Sequence, residues 1–223
     1  MDDYHVREDE RHLATWQSVD QHYPGLQRVC ADPPVFAVPG FLTPAECDAL
    51  IAAAAPGLHR SIVVDGAAGQ APAPSRTSES CYLLKSDTAW LAAKVAALLG
   101  GAPPACQEPP QVARYTAGQF YLPHFDAFDL RTQPGRECVN TGGQRTATVL
   151  MYLNDVPQPG GGGCTYFPKL EARFAPVRGA ALVFFPCSLD GRLDPRALHT
   201  AEPVAAPCEK WVSQVWLRQR EYR

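Results

Sequence analysis

"QVARYTAGQFYLPHFDAF", residues 111–128, marks the point at which this chain changes character. Up to there it mixes helical and extended patterns. From there on it reads as short extended runs: "QVARYTAG", "YLPHFD", "TATVLMYL", "CTYF", "ARFAP", "ALVFF", "LHTAEPV" and "KWVSQVWL". Gly, Pro, Asn and Asp turns separate these eight strand-like segments. That count and rhythm is the signature of a double-sheet jelly roll. The expectation is a mainly β protein with supporting helices, one domain over 1–223. Residues 1–110 would form the support and 111–220 the roll.

The support carries clear punctuation. In "TPAECDALIAAAAPG" (43–57), Thr43 is an N-cap, Pro44 sits at the first helical position and Glu46 completes a capping box. Pro56-Gly57 closes that helix. "SDTAWLAAKVAALLGG" (86–101) reads as a second helix, capped by Ser86 or Asp87 and ended by Gly100-Gly101. Residues 1–25 read as a polar helix stopped at Pro24-Gly25. "SIVVDG" and "SESCYLL" read as strands joined by a flexible Ala/Gly/Pro loop over 66–76, a candidate lid.

Composition narrows the class. Hydrophobic residues make up 46% and charged residues 19%, so the chain can bury a core and is not a solvated, disordered one. A net charge of -3 argues against a nucleic-acid binder driven by counterion release. No apolar run reaches the roughly 20 residues of a membrane helix. The eight cysteines contain no C-x-x-C pair, which weakens a zinc-ribbon reading. The charged N-terminus has no apolar signal region. Reduced thiols and a cytoplasmic location are therefore the expectation.

Within the opening stretch lies His124-x-Asp126. On a strand these two side chains share one face. They could hold a divalent metal, and they could equally be a surface pair. With 6 histidines in 223 residues, a His-x-Asp arises by chance about once in three such chains, so it needs context. The context is a second histidine on a distant strand. Two histidines and a carboxylate bind Fe(II) and leave positions open. His199 is the histidine on a late strand of the roll. Eleven residues on, Lys210 shares a strand face with Val212, Gln214 and Trp216. If that face points inward, the lysine needs an anion; if not, it reaches solvent.

Together these positions resemble the Fe(II)/2-oxoglutarate dioxygenases, and the prolyl 4-hydroxylases in particular. "RYTAGQFYLPHFDAFD" is similar to that family's metal-site strand pair. "GGQRTATVLMYLNDVPQPGGGGCTYFP" is similar to its next block, and "LDPRALHTAEPV…EKWVSQVWLRQR" to its distal-histidine and lysine block. "FLTPAECDALI" and "SRTSESCYLL" resemble its support helix and R-T-S loop. The resemblance runs from about residue 33 to 220. It implies a double-stranded β-helix, a cupin-like roll, with iron held by His124, Asp126 and His199. It implies that Lys210 pairs with the distal carboxylate of 2-oxoglutarate. Tyr115 and Thr165 would hydrogen-bond that cosubstrate and Trp216 would wall its pocket. Substrate would touch Arg76, Ser78, Tyr82, Glu108, Tyr121 and Arg145.

Two departures set further expectations. The interval from His199 to Lys210 is one residue longer than in the family, so the extra residue must fall in a loop if strand parity is kept. Gly160–Gly163 is also richer in glycine. The implied reaction consumes O2 and 2-oxoglutarate, with ascorbate as reductant, and hydroxylates a C–H bond. An intact Asp126 points to hydroxylation rather than halogenation. The leading substrate is a prolyl residue in a peptide or protein. The alternatives are a free amino acid or small molecule and, from another class, a silent cupin-like binding module. Neither nucleic acid nor membrane is an expected partner.

Overall fold

The computed structural model describes residues 15–65 and 69–223. The first half contributes β1 (Gln27–Cys30), β2 (Val35–Val38), helix α1 (Pro44–Ala54), β3 (His59–Arg60), β4 (Ile62–Asp65), β5 (Gly69–Pro72), β6 (Glu79–Tyr82) and helix α2 (Ala89–Leu98). The eight runs read from residue 111 onward are all strands. They are β7 (Gln111–Tyr115), β8 (Tyr121–His124), β9 (Arg145–Tyr152), β10 (Thr165–Phe167), β11 (Ala172–Phe174), β12 (Ala181–Phe184), β13 (His199–Ala201) and β14 (Lys210–Arg218). A helix, α3 (Gln133–Asn140), interrupts them between β8 and β9.

The strands form two facing layers. The larger sheet runs β1-β2-β12-β9-β14-β7-β6-β3 and the smaller β11-β10-β13-β8. β4 and β5 make a separate hairpin. Four strands of the first half thus extend the major sheet of the roll. Side-chain alternation divides the core between two layers. On β14, Trp211, Val215 and Leu217 face outward with Ala147, Val149 and Met151 of β9, onto Leu50 of α1 and Leu91 and Val95 of α2. Val212 faces inward with Leu150, Tyr152 and Phe167. Lys210, Gln214 and Trp216 share the parity of Val212, so they belong to the interior.

The helix signals hold for α1. Thr43 caps it, the Glu46 N–H donates to the Thr43 hydroxyl, and the Glu46 carboxylate accepts from the Thr43 N–H. Lys94 of α2 also reaches that carboxylate at 2.8 Å, tying the two helices together. For α2 the cap differs. Thr88, not Ser86 or Asp87, is the N-cap residue, and it makes no side-chain cap bond, because its hydroxyl donates to the Leu84 carbonyl. The helix ends as read, with the Gly101 N–H bonded to the Ala96 carbonyl.

Three expectations are corrected. Residues 15–20 are irregular and 21–25 form a turn, not helix, and residues 1–14 of the polar segment lie outside the described residues. The loop between the N-terminal strands is largely a hairpin, with Ile62 paired to Pro72 and Val63 to Ala71; residues 66–68 lie outside the described residues. Helix α3 was hidden in "TQPGRECVN", whose Pro and Gly read as a turn. Thr132 caps it by accepting the Gly135 N–H at 3.1 Å. Gly135 is required because a Cβ there would run into the Asp129 carbonyl.

Residues 202–209 form the loop between β13 and β14, and Lys210 opens β14 on the same face as Val212. Lys210 pairs with Tyr115 across the sheet. The glycine run serves that loop. Gly162 adopts φ +66, and a Cβ there would collide with the Pro203 carbonyl. The backbone can therefore lie against 203–205 before delivering Thr165.

Candidate metal and cosubstrate site

β8 and β13 are neighbours in register, and His199 lies directly opposite His124. The two imidazoles sit 4.3 Å apart between centroids. Each ring is fixed by the backbone two residues before it. His124 Nδ1 bonds the Leu122 carbonyl at 2.8 Å, and His199 Nδ1 bonds the Ala197 carbonyl at 3.0 Å. A carbonyl accepts only, so each Nδ1 carries the proton and each Nε2 offers a lone pair. Both Nε2 atoms face Asp126, at 3.9 Å from Oδ1 and Oδ2 respectively.

Asp126 does not reach this point by strand alternation. β8 ends at His124, and Asp126 lies in the bend beyond it. Its Oδ2 accepts from the Thr148 hydroxyl at 2.7 Å. Burial alone would push its pKa up, but His199, His124, Arg145 and Thr148 together hold it below the ordinary carboxylate value. Burial, with His199 beside it, pushes the His124 pKa well down. The site therefore presents two imidazoles and a carboxylate, with donor atoms within 4.8 Å of one another. That donor set fits a divalent iron with open positions. It places together all three sequence-derived metal ligands.

Lys210 lies between the sheets and is 1% exposed. Its Nζ sits 5.4 Å from the Tyr115 ring and 5.7 Å from the Tyr152 ring. No carboxylate among the described residues pairs with it, and burial depresses its pKa to about 8. Thr165, also buried, accepts a hydrogen bond from the Tyr152 hydroxyl at 2.8 Å. That leaves the Thr165 proton free to donate onward. Tyr115, Thr165 and Lys210 thus surround one inward-facing region. Tyr152 completes it, and β9 parity with Thr148 could have flagged it in the sequence.

A groove of about 790 Å³ opens over His124 and Asp126. Ile62 and Val63 of the β4–β5 hairpin and Pro134 and Cys138 of α3 line it. Arg76, Tyr82, Glu108, Tyr121, Arg145 and Trp216 line it too. Tyr121 stacks on His124 with centroids 3.4 Å apart, and Arg76 lies over its other neighbourhood at 4.9 Å. Burial pushes the Tyr121 phenol up to about 12. Tyr82 is half-exposed, so it is a groove-wall residue rather than core packing.

The charged residues are not a solvated rim. Arg76, Glu108 and Arg218 are buried. Glu108 accepts from Arg145 Nε at 2.6 Å and Nη2 at 2.8 Å, and from Arg218 Nη1 at 3.0 Å. Burial would raise the Glu108 pKa, but the two guanidiniums overcome it and lower it. Its carboxylate is therefore committed to arginines. Ser78 is fully buried and holds Arg76 by accepting from its Nε at 3.0 Å, so it stands behind the groove wall rather than on it. Arg145 stacks on Trp216 at 3.7 Å. Trp216 therefore belongs to the groove. It stands six residues from Lys210, roughly 20 Å along an extended strand.

Comparison with known proteins agrees with this geometry. The family model of the 2OG-Fe(II) oxygenase superfamily matches residues 110–218. Prolyl 4-hydroxylase 1 of Arabidopsis thaliana is 35% identical over 203 residues, covering 84% of this chain and 70% of that protein. The chain belongs to the prolyl 4-hydroxylase family of 2OG-Fe(II) oxygenases. Probable prolyl 4-hydroxylase 6 of the same plant is also 35% identical, over 213 residues, covering 85% of this chain and 70% of that protein. Among solved structures, the viral collagen prolyl hydroxylase of Paramecium Bursaria Chlorella virus-1, in its 2OG complex, superposes with a TM-score of 0.57. It is 29% identical, and the match covers 82% of this chain and 95% of that one. Membership implies Fe(II), 2-oxoglutarate and O2 as the working set.

Proposed function

We propose that this prolyl 4-hydroxylase family member hydroxylates prolyl residues in a peptide or protein, with 1–223 acting as one catalytic domain. The observation that carries the reading is the convergence of two imidazoles and the Asp126 carboxylate beside a groove, with the Lys210 ammonium buried in the same roll. His124, Asp126 and His199 would hold Fe(II). Bound iron and 2-oxoglutarate supply the oxidative chemistry, in which 2-oxoglutarate goes to succinate and CO2 and one oxygen atom enters a C–H bond.

The chain's own residues bind and orient. Lys210 supplies the charge for the distal carboxylate of 2-oxoglutarate, which relieves the cost of its burial. Thr165, its oxygen already satisfied by Tyr152, donates to the same carboxylate, and Tyr115 lies within the same shell. At the groove, Tyr121, Tyr82, Arg76, Arg145 and Trp216 form an aromatic and cationic wall suited to an extended, proline-bearing chain. Glu108 and Ser78 act indirectly, by holding Arg145 and Arg76. Ascorbate would keep the iron reduced.

The test is incubation with Fe(II), ascorbate, 2-oxoglutarate and O2, against proline-rich peptides and free proline. Iron-dependent gain of one oxygen on a peptidyl proline, read by mass spectrometry with matching succinate, is the expected result. Oxygen on free proline alone would replace the peptide reading with small-molecule chemistry. Bound iron with neither product nor succinate would refute the enzyme reading in favour of a binding module.

A further inference from the structure

Asp126 stands two residues past the end of β8, where no ladder hydrogen bond fixes the chain. A metal ligand in that position needs another support, because a shift of an ångström would withdraw its carboxylate from the two imidazoles. Gln144, just before β9, provides one. Its Oε1 accepts the Phe128 N–H at 2.9 Å and its Nε2 donates to the Phe128 carbonyl at 2.7 Å. Both ends of one carboxamide are thus bonded to one backbone residue, as a neighbouring strand would bond it.

Gln144 is itself held. Its N–H donates to Gln219 Oε1 at 2.8 Å, and its carbonyl accepts from the Gln219 N–H at 3.0 Å. The side chain is 3% exposed, so water does not compete for these bonds. Four residues on, Thr148 bonds the Asp126 carboxylate itself. The beginning of β9 therefore grips the Asp126 loop at both its backbone and its carboxylate.

We propose that Gln144 is a positioning residue for Asp126: its carboxamide replaces the missing strand partner and fixes the loop that carries the metal's carboxylate ligand. The inference rests on the metal-site reading above. It concerns geometry, not chemistry, and Gln144 need touch neither metal nor substrate.

The chemistry selects the variants. Gln144→Glu keeps shape and length but turns an acceptor toward the Phe128 carbonyl. Gln144→Ala removes both bonds. The measurement is Mn(II) binding to the full chain by calorimetry, alongside hydrogen exchange at the Phe128 amide without metal. We expect both variants to bind Mn(II) about 10- to 100-fold more weakly, the range for residues that orient metal ligands. The Phe128 amide should lose protection in Gln144→Ala while amides of β9 and β14 keep theirs. Thr148→Val, which leaves the backbone clamp intact, should not deprotect Phe128. If the parent binds Mn(II) and both variants bind it within twofold of the parent, the positioning role is wrong while the metal site stands. If the parent binds no divalent metal, the site reading fails and this inference with it. Loss of β9 and β14 protection together with Phe128 would also overturn it, by showing a general loss of packing.

Discussion

Replacing Lys210 by methionine should make the ligand-free protein more stable while removing its affinity for 2-oxoglutarate. Methionine fills much the same volume without the charge. The lysine's pKa is depressed from 10.5 to about 8 by burial, which outweighs the opposing influence of Cys164 and Glu202. At 1.36 kcal/mol per unit, holding the ammonium inside the fold costs about 3 kcal/mol at neutral pH. Replacing a buried charge by a packed apolar group typically gains in that range. For a chain of this size 1 kcal/mol moves the midpoint by about 2–4 °C, so Lys210→Met should unfold about 6–12 °C higher at pH 7. The pH dependence identifies the cause. Below pH 8 the lysine is protonated in both states, and the parent bears the full cost. From about pH 8 to 10.5 the unfolded chain binds more protons than the folded one, so the parent gains stability as pH rises. The gap between parent and variant should close over that window. With Mn(II) present throughout, added 2-oxoglutarate should raise the midpoint of the parent and leave that of the variant unchanged. Scanning calorimetry over pH 6.5 to 10.5 reads all three effects. A variant no more stable than the parent at pH 7, or a gap that persists to pH 10.5, would refute the account of Lys210 as an uncompensated buried charge.

Other substitutions test other parts of the site. Asp126→Ala should abolish hydroxylation, and retention of the parent rate would remove Asp126 from the ligand set. Glu108→Gln strands Arg145 and Arg218 against each other, and should cost about 3–5 kcal/mol in urea unfolding; a loss below 1 kcal/mol would show that the arginines find other partners. Replacing the β4–β5 hairpin, whose Ile62 and Val63 line the groove, by a short glycine turn should raise the ratio of succinate to hydroxylated product. An unchanged ratio would deny the hairpin a role in covering substrate.

The difference between what the sequence disclosed and what it concealed has a physical origin. Strands of the roll announce themselves because turns of Gly, Pro, Asn and Asp punctuate short apolar runs, and that punctuation is local. Parity likewise grouped Lys210 with Val212 and Trp216 on one face, because one unbroken strand carries them, and the packing of the two sheets then turned that face inward. His199 and His124 follow from pattern together with resemblance, and register in the minor sheet then sets them opposite each other. Asp126 was grouped with His124 by an alternation that the strand does not continue long enough to supply. What holds it comes from β9, some twenty residues away in sequence, and no local rule connects the two.

Arg145 illustrates the same limit more sharply. Thr148, Leu150 and Tyr152 share the inner face of β9, so uninterrupted alternation would turn Arg145 outward with Ala147 and Val149. The register shows why it does not. Leu217 pairs with Ala147, but Arg218 pairs with Arg145, so β9 spends two steps where β14 spends one. An extra residue in one strand reverses the face of everything beyond it. Thr146 is that residue, and the bulge brings Arg145 inward onto Trp216 and Glu108. Its guanidinium is thereby aimed at the groove by a backbone irregularity that leaves no mark in composition. The irregularity also lies where the chain has just left the Gln144 clamp. The two devices therefore act in succession on adjacent residues, one bonding the backbone of Phe128 in the loop that carries Asp126 and the next turning a guanidinium toward the groove.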